Sequence, residues 1–171
     1  MTELLVRPKV GMRQIVAVPY VIALGVCRAL PELGIAWPYG LANRKTGRGA
    51  GNVVAHAGYD DDGMYVRASV ELPGANEDAL VGAVESSVRE WSDALEGRPA
   101  MGPLAPVLAD YADALVCLGG EVDVTYPNGS SYARGTFVGV DVWGRATVRL
   151  AGGQELEFPP EKYRMRQVPD A

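Results

Sequence analysis

The stretch "GIAWPYGLANRKTGRGAGNVVAHAGY", residues Gly34 to Tyr59, decides how the chain is read. It opens on a brief apolar strand, Gly34 to Trp37, that Pro38 stops. The segment "YGLANRKTGRG" follows, with three glycines and a run of basic and amide side chains, and it reads as an exposed, mobile loop. "AGNVVAHAGY" then begins a strand, and "DDDG" (Asp60 to Gly63) turns it back into "MYVRASVEL". In the return strand Val66, Ala68, Val70 and Leu72 fall on one face, and Tyr65, Arg67, Ser69 and Glu71 on the other. That alternation predicts one buried and one polar face.

Upstream, Thr2 to Pro8 is short, apolar and closed by proline, which predicts a first strand. Ile15 to Leu30 is the most apolar run of the chain and predicts a buried helix, with Pro19 in its first turn. The run is too short to cross a bilayer and no small-residue cleavage site closes it, so no membrane role is expected. Downstream, Asn76 caps a helix in which Leu80, Val84, Val88, Trp91 and Leu95 keep helical spacing, and Gly97 ends it. A second helix is predicted after Gly102, with Leu104, Leu108, Tyr111 and Leu115 on one stripe. From Gly120 the pattern changes to short strands with turns at "NGS" and "WGR", which predicts a small barrel. The expected fold class is α+β: a mixed sheet with helices over residues 1–116, then a small barrel over residues 117–171.

The chain has 171 residues, of which 48% are hydrophobic and 22% charged, an ordinary globular composition. A formal net charge of −5 gives no positive field for a phosphate backbone, so nucleic acid is not an expected partner. Cys27 and Cys117 lie far apart in apolar contexts that read as helical, a reduced usage that predicts a cytoplasmic protein. With these two cysteines and His56 as the one histidine, a zinc site of the usual kind cannot be assembled within one chain, and no metal is expected. His56 has no nucleophile or carboxylate cluster near it in sequence and reads as structural.

The order of these features resembles a known family. Ala105 to Arg166, with "LVCLGGEVDV", "GTFVGVDVWGRATV" and "YRMR", is similar to the end of bacterial biotin protein ligases, where a helix leads into an SH3-like C-terminal domain. Upstream, Leu30 to Leu72 resembles the family's stretch "KWPND", "K.AGIL" and "GIGIN". The resemblance implies the fold of the second part of the catalytic domain followed by the SH3-like barrel. It also implies an activity, the joining of biotin to ATP and transfer of biotin to a carrier-protein lysine. The ligands it implies are biotin and ATP, insofar as any family activity is kept.

Carried over residue by residue, the resemblance points to Trp37, Pro38, Ala50, Gly51, Asn52, Arg67 and Arg166 for ligand binding, with Arg48 in the slot of the family's reacting-centre lysine. The departures are chemical. Ala36 takes the lysine slot of "KWPND", and Tyr39 and Gly40 stand for its asparagine and aspartate. Arg48 keeps a charge but not the compact ammonium. "RASVE" (Arg67 to Glu71) replaces both glycines of "GIGIN" with larger side chains. The family's biotin- and phosphate-binding loop belongs ahead of the first strand, and the chain begins at Met1 without it. Contacts of this kind are worth ~3 kcal/mol each in a transition state, so adenylation by this chain alone is not expected. The expected function is a non-catalytic binding or regulatory homodimer whose partner chain covers an open sheet edge and an apolar face. The alternative is the C-terminal subunit of a split ligase, completed by a separate N-terminal subunit and acting on a biotin carrier protein.

Overall fold

The computed structural model describes residues 1–168. Two five-stranded sheets are joined by a helical connection, and every ladder in both is antiparallel. The fold is therefore α+β, as the sequence predicts, but the first sheet is not mixed. Among the described residues its only parallel pairing is an isolated bridge between Ile35 and Leu115. The cause is local connection: short turns join β2 to β3, β3 to β4 and β4 to β5, and such turns return the strand antiparallel.

The first sheet has the order β1 (Thr2–Val6), β5 (Gly63–Glu71), β4 (Gly49–Asp60), β3 (Gly40–Asn43), β2 (Leu33–Ala36). Alternation sets its two faces. Leu4, Val6, Val53, Val66, Ala68 and Val70 are buried beneath α1 (Val18–Ala29) and α2 (Glu77–Leu95). The opposite face carries Glu3, Leu5, Asn52, His56, Arg67 and Glu71, all exposed. An apolar open face was expected here, and the structure corrects it: Leu5 and half-buried Val54 are the apolar groups, set among charges. The open edge does exist. Strand β1 has β5 as its only neighbour, and its outer side pairs with no strand among the described residues.

Helix α1 is buried from Val18 to Cys27 save for Pro19, as an all-round apolar helix must be. Pro19 stands in its first turn, where no intrahelical donor is lost. Gly25 lets α1 and α2 touch backbone to backbone, since a Cβ there would lie 3.0 Å from the Val84 Cα. The Asn76 side chain caps α2 by accepting from the Ala79 N–H at 3.1 Å, and Glu77 and Asp78 add negative charge at that end. Trp91 is 1% exposed and its indole N–H donates to the Pro103 carbonyl at 2.7 Å, which fastens α2 to the connection that follows. The third helix, α3 (Leu108–Ala114), is shorter than its apolar stripe suggests. Leu115 and Val116 leave it to pair with β2, the Val116 N–H donating to the Ile35 carbonyl. Cys117 thus lies outside any helix, half-buried, whereas Cys27 is buried in α1.

The second sheet runs β10 (Arg164–Gln167), β6 (Glu121–Thr125), β7 (Ser131–Val140), β8 (Ala146–Arg149), β9 (Glu155–Phe158). All five strands fall where the turns predict them. No ladder joins β9 to β10 among the described residues, so the sheet is not closed by hydrogen bonds. Its two edges nonetheless meet through rings: Phe158, at the end of β9, lies 5.1 Å from Tyr163, just before β10, and Tyr132 and Tyr126 extend the cluster.

Trp91→Ala removes both a buried ring and the α2 anchor. The expected loss of unfolding free energy is about 3–5 kcal/mol, measured by urea titration; a change below about 1 kcal/mol would contradict this packing.

Candidate functional site

The two sheets are docked by buried polar contacts. The Trp37 indole N–H donates to the Gly144 carbonyl at 2.9 Å, the Leu104 N–H to the Val142 carbonyl at 2.9 Å, and the Tyr111 hydroxyl to the Pro38 carbonyl at 2.6 Å. Tyr20, Tyr39 and Tyr111 pack edge to face around this junction, with centroids 5.3 and 5.4 Å apart. The turn Asp141–Arg145 reaches the first sheet because Asp141 accepts from the Trp143 and Arg145 N–H groups and pairs with the Arg145 guanidinium. Burial pushes the Tyr20 and Tyr111 phenols far above their ordinary range, so both stay neutral.

Where β10 passes the first sheet, two adjoining cavities open, each of about 480 Å3. The first lies between the Trp37–Gly40 turn, β4 and Arg164. Strand β3 pairs with β4 only as far as Gly40 opposite Asn52. Beyond that point β4 has a free edge, which is why five consecutive residues, Asn52 to His56, all line this cavity. The second cavity lies between the Thr46–Gly49 turn, Cys117 and β10, and brings Arg48 and Arg166 together. Among the described residues no Asp or Glu lines either cavity.

Part of the segment expected to be loop is strand, and the rest is an exposed turn. Gly40–Asn43 form β3, with Leu41 and Ala42 buried, and the Asn43 side chain accepts from the Lys45 and Thr46 N–H groups at 3.0 Å. Arg44 is used structurally, donating to the Leu33 and Asp113 carbonyls. Among the described residues no carboxylate lies within 4.0 Å of Arg48.

Across β10 and β6, Arg166 stands opposite Asp123 and donates from Nε and Nη2 to Oδ2 at 3.0 and 2.6 Å. The other Asp123 oxygen accepts from the Ser131 hydroxyl. The Asp123 side chain is 4% exposed, and these hydrogen bonds, that of Ser131 first, outweigh burial and hold its carboxyl below the ordinary value.

Of the residues named from the sequence, Trp37, Pro38 and Asn52 line the first cavity and Arg48 and Arg166 the second. Ala50, Gly51 and Arg67 line neither. Gly51 has a packing role, because a Cβ there would collide with the Glu71 carbonyl oxygen. Arg67 stands on the open face opposite His56. Sequence reasoning missed Arg164 and Met165 as parts of the groove and Asp123 as the partner of Arg166, and it read His56, which is exposed and lines the first cavity, as structural. Asp123 alternates with Val122 and Val124, a pattern that reads as a solvent face until β10 covers it.

No family model and no curated protein matches this sequence. Solved structures do. The biotin protein ligase from Aquifex aeolicus in complex with biotin and ATP superposes with a TM-score of 0.69 at 17% identity, over 97% of this chain and 77% of that one. A biotin protein ligase-like protein of unknown function from Silicibacter sp. tm1040 gives 0.54 at 19% identity, over 92% and 76%. Biotin acetyl coenzyme A carboxylase synthetase from Helicobacter pylori, with bound biotinylated ATP, gives 0.51 at 14% identity, over 91% and 72%. Over nearly its whole length, this chain has the fold of the biotin protein ligases.

Asp123→Asn tests the pinning of Arg166. The folded pKa lies below the unfolded value of about 3.9, so the carboxylate stabilises the fold above that pH and the contribution is lost as pH falls through the folded value. The variant should melt below the wild type at neutral pH, with the gap narrowing below about pH 4. A gap independent of pH would contradict the ion pair.

Proposed function

We propose that this chain is a biotin protein ligase-like binding protein that does not adenylate biotin unaided, and that it acts as a cytoplasmic homodimer. The observation that carries the reading is the composition of the groove. Arg48, Arg164 and Arg166 surround it, and no Asp or Glu of the described residues is in its lining, which suits an anionic ligand. A triphosphate reaction asks for more. Mg2+ beside substrate phosphates is held by one or two carboxylates, and among the described residues no Asp or Glu lines the groove. Ala36, Tyr39 and Gly40 stand where the family resemblance would put a lysine, an asparagine and an aspartate.

In this reading residues 1–116 are a remnant of the ligase domain and residues 117–171 an SH3-like barrel, whose curl is supported by the Phe158–Tyr163 contact across its edges. The homodimer is supported by the open edge of β1, where Leu5 is 53% exposed. A cytoplasmic setting fits two free cysteines, and no helix among the described residues is long and apolar enough to cross a membrane. One observation favours a second reading, a subunit of a split ligase: Arg48 and Arg166, both implied by the resemblance, line the same cavity.

The test is to incubate the purified chain with biotin and ATP, follow pyrophosphate, titrate a non-hydrolysable biotinyl-adenylate analogue by calorimetry, and record the mass in solution. No biotin-dependent pyrophosphate and a mass of two chains are expected. Pyrophosphate release by the chain alone would overturn the non-catalytic reading, and a monomer would overturn the homodimer.

A further inference from the structure

Strand β1 pairs with β5 alone, and among the described residues its outer side is open. Five consecutive residues, Leu5 to Lys9, line a cavity of about 380 Å3 between this edge and Val88, Arg89 and Ser92 of α2. Residues of both faces line it together, which happens where the main chain of an edge is uncovered. Alternation puts Glu3, Leu5 and Arg7 on the exposed face and Leu4 and Val6 on the buried one. Leu5 is 53% exposed. Arg7 is fixed in position by the two Asp60 carboxylate oxygens, at 2.8 and 2.6 Å. Among the described residues no side-chain cation lies within 4.0 Å of Glu3. Arg7, four residues along the same strand, is about 13 Å from it, too far to pair within one chain.

Read backwards, the order Glu3, Leu5, Arg7 is its own complement. We infer that β1 pairs antiparallel with β1 of a second copy about a two-fold axis at Leu5, so that one sheet runs through both chains. Identical chains that close into a dimer are related by such an axis, and an axis normal to the sheet makes identical edge strands antiparallel. In this register Leu5 meets the partner's Leu5, and Glu3 meets the partner's Arg7 at two symmetric places. On the other face Leu4 lies opposite the partner's Val6, which continues the apolar layer from one chain into the next. Centring the axis on Leu4 or on Val6 would instead set Leu5 against the partner's Glu3 or the partner's Arg7. Pairing gives the edge N–H and C=O groups protein partners, and opposite charges directly across a ladder favour it where like charges oppose it. Pro8 has no N–H and ends the ladder. The inference rests on the reading of the chain as a homodimer and deepens it by naming the surface and its register.

The experiment combines cysteine trapping with mass in solution, on the intact chain. Residues directly opposite in a ladder have Cβ atoms about 4.5–5.5 Å apart, a small adjustment from the reach of a disulfide. Under mild oxidation Leu5→Cys should therefore cross-link to its own copy. Glu3→Cys and Arg7→Cys should not cross-link alone, but an equimolar mixture of the two should. The wild type, with Cys27 buried and Cys117 half-buried, is the control and should stay uncross-linked. Leu5→Lys puts two like charges on the axis and should raise the dimer dissociation constant about tenfold or more in sedimentation velocity. The position is exposed, so its thermal melt at low concentration should stay near that of the wild type. A dimer by mass in which Leu5→Cys fails to cross-link, in which Glu3→Cys links to itself as readily, or which Leu5→Lys leaves intact would overturn this register and leave the homodimer standing. A wild-type monomer would overturn both and assign the edge to a different chain.

Discussion

The groove exists because two sheets are held against each other, and the contact on which that docking turns is the Trp37 indole bond to the Gly144 carbonyl. Trp37 is 4% exposed, so leaving its N–H unpaired would cost about 1–3 kcal/mol, and the Gly144 carbonyl is brought to it by a turn that Asp141 organises from within. Tyr111 binding the Pro38 carbonyl and Leu104 binding that of Val142 hold the same seam. The Trp37 and Leu104 bonds reach the turn of the second sheet and form only when that sheet is in place, while the Tyr111 bond ties the helical connection to the first sheet. The cavities on either side of Met165 are what remains open between the sheets once the seam closes.

Local grammar was legible where one segment determines its own conformation. The β4–β5 hairpin, its alternating faces, the Asn76 cap and the five strands after Gly120 all follow from turn residues and periodicity. The losses share a cause. Strand β3 was hidden because Gly40–Asn43 is too short for a period and lies among glycines and basic residues, which by composition read as loop. The early end of α3 is set by a bridge to Ile35, which no local pattern announces. His56 read as structural, but it lies where β3 has ended and β4 has a free edge, and only the sheet register reveals that. Arg166 was legible through the family resemblance, whereas Asp123, which holds it, was not, because the pairing of β10 with β6 spans 43 residues.

Electrostatics give the groove its character. The chain carries a net charge of −5, yet three arginines line the two cavities, where no Asp or Glu of the described residues stands, and Asp123 beside them is buried and bonded to Arg166 and Ser131. Elsewhere four arginines are paired with carboxylates: Arg7 with Asp60, Arg28 with Glu90 and Asp110, Arg145 with Asp141, Arg149 with Glu155. The chain thus shares its fold with biotin protein ligases and lines its groove with arginines.

The most direct test of this account is amide hydrogen exchange on Trp37→Phe, which keeps the ring's bulk and deletes the donor. If docking creates the groove, exchange should quicken in the Asp141–Arg145 turn and along β10, remote in sequence from the substitution, while α2 and the β4–β5 hairpin keep their protection. Quickening confined to the residues beside position 37, with β10 as protected as in the wild type, would contradict it.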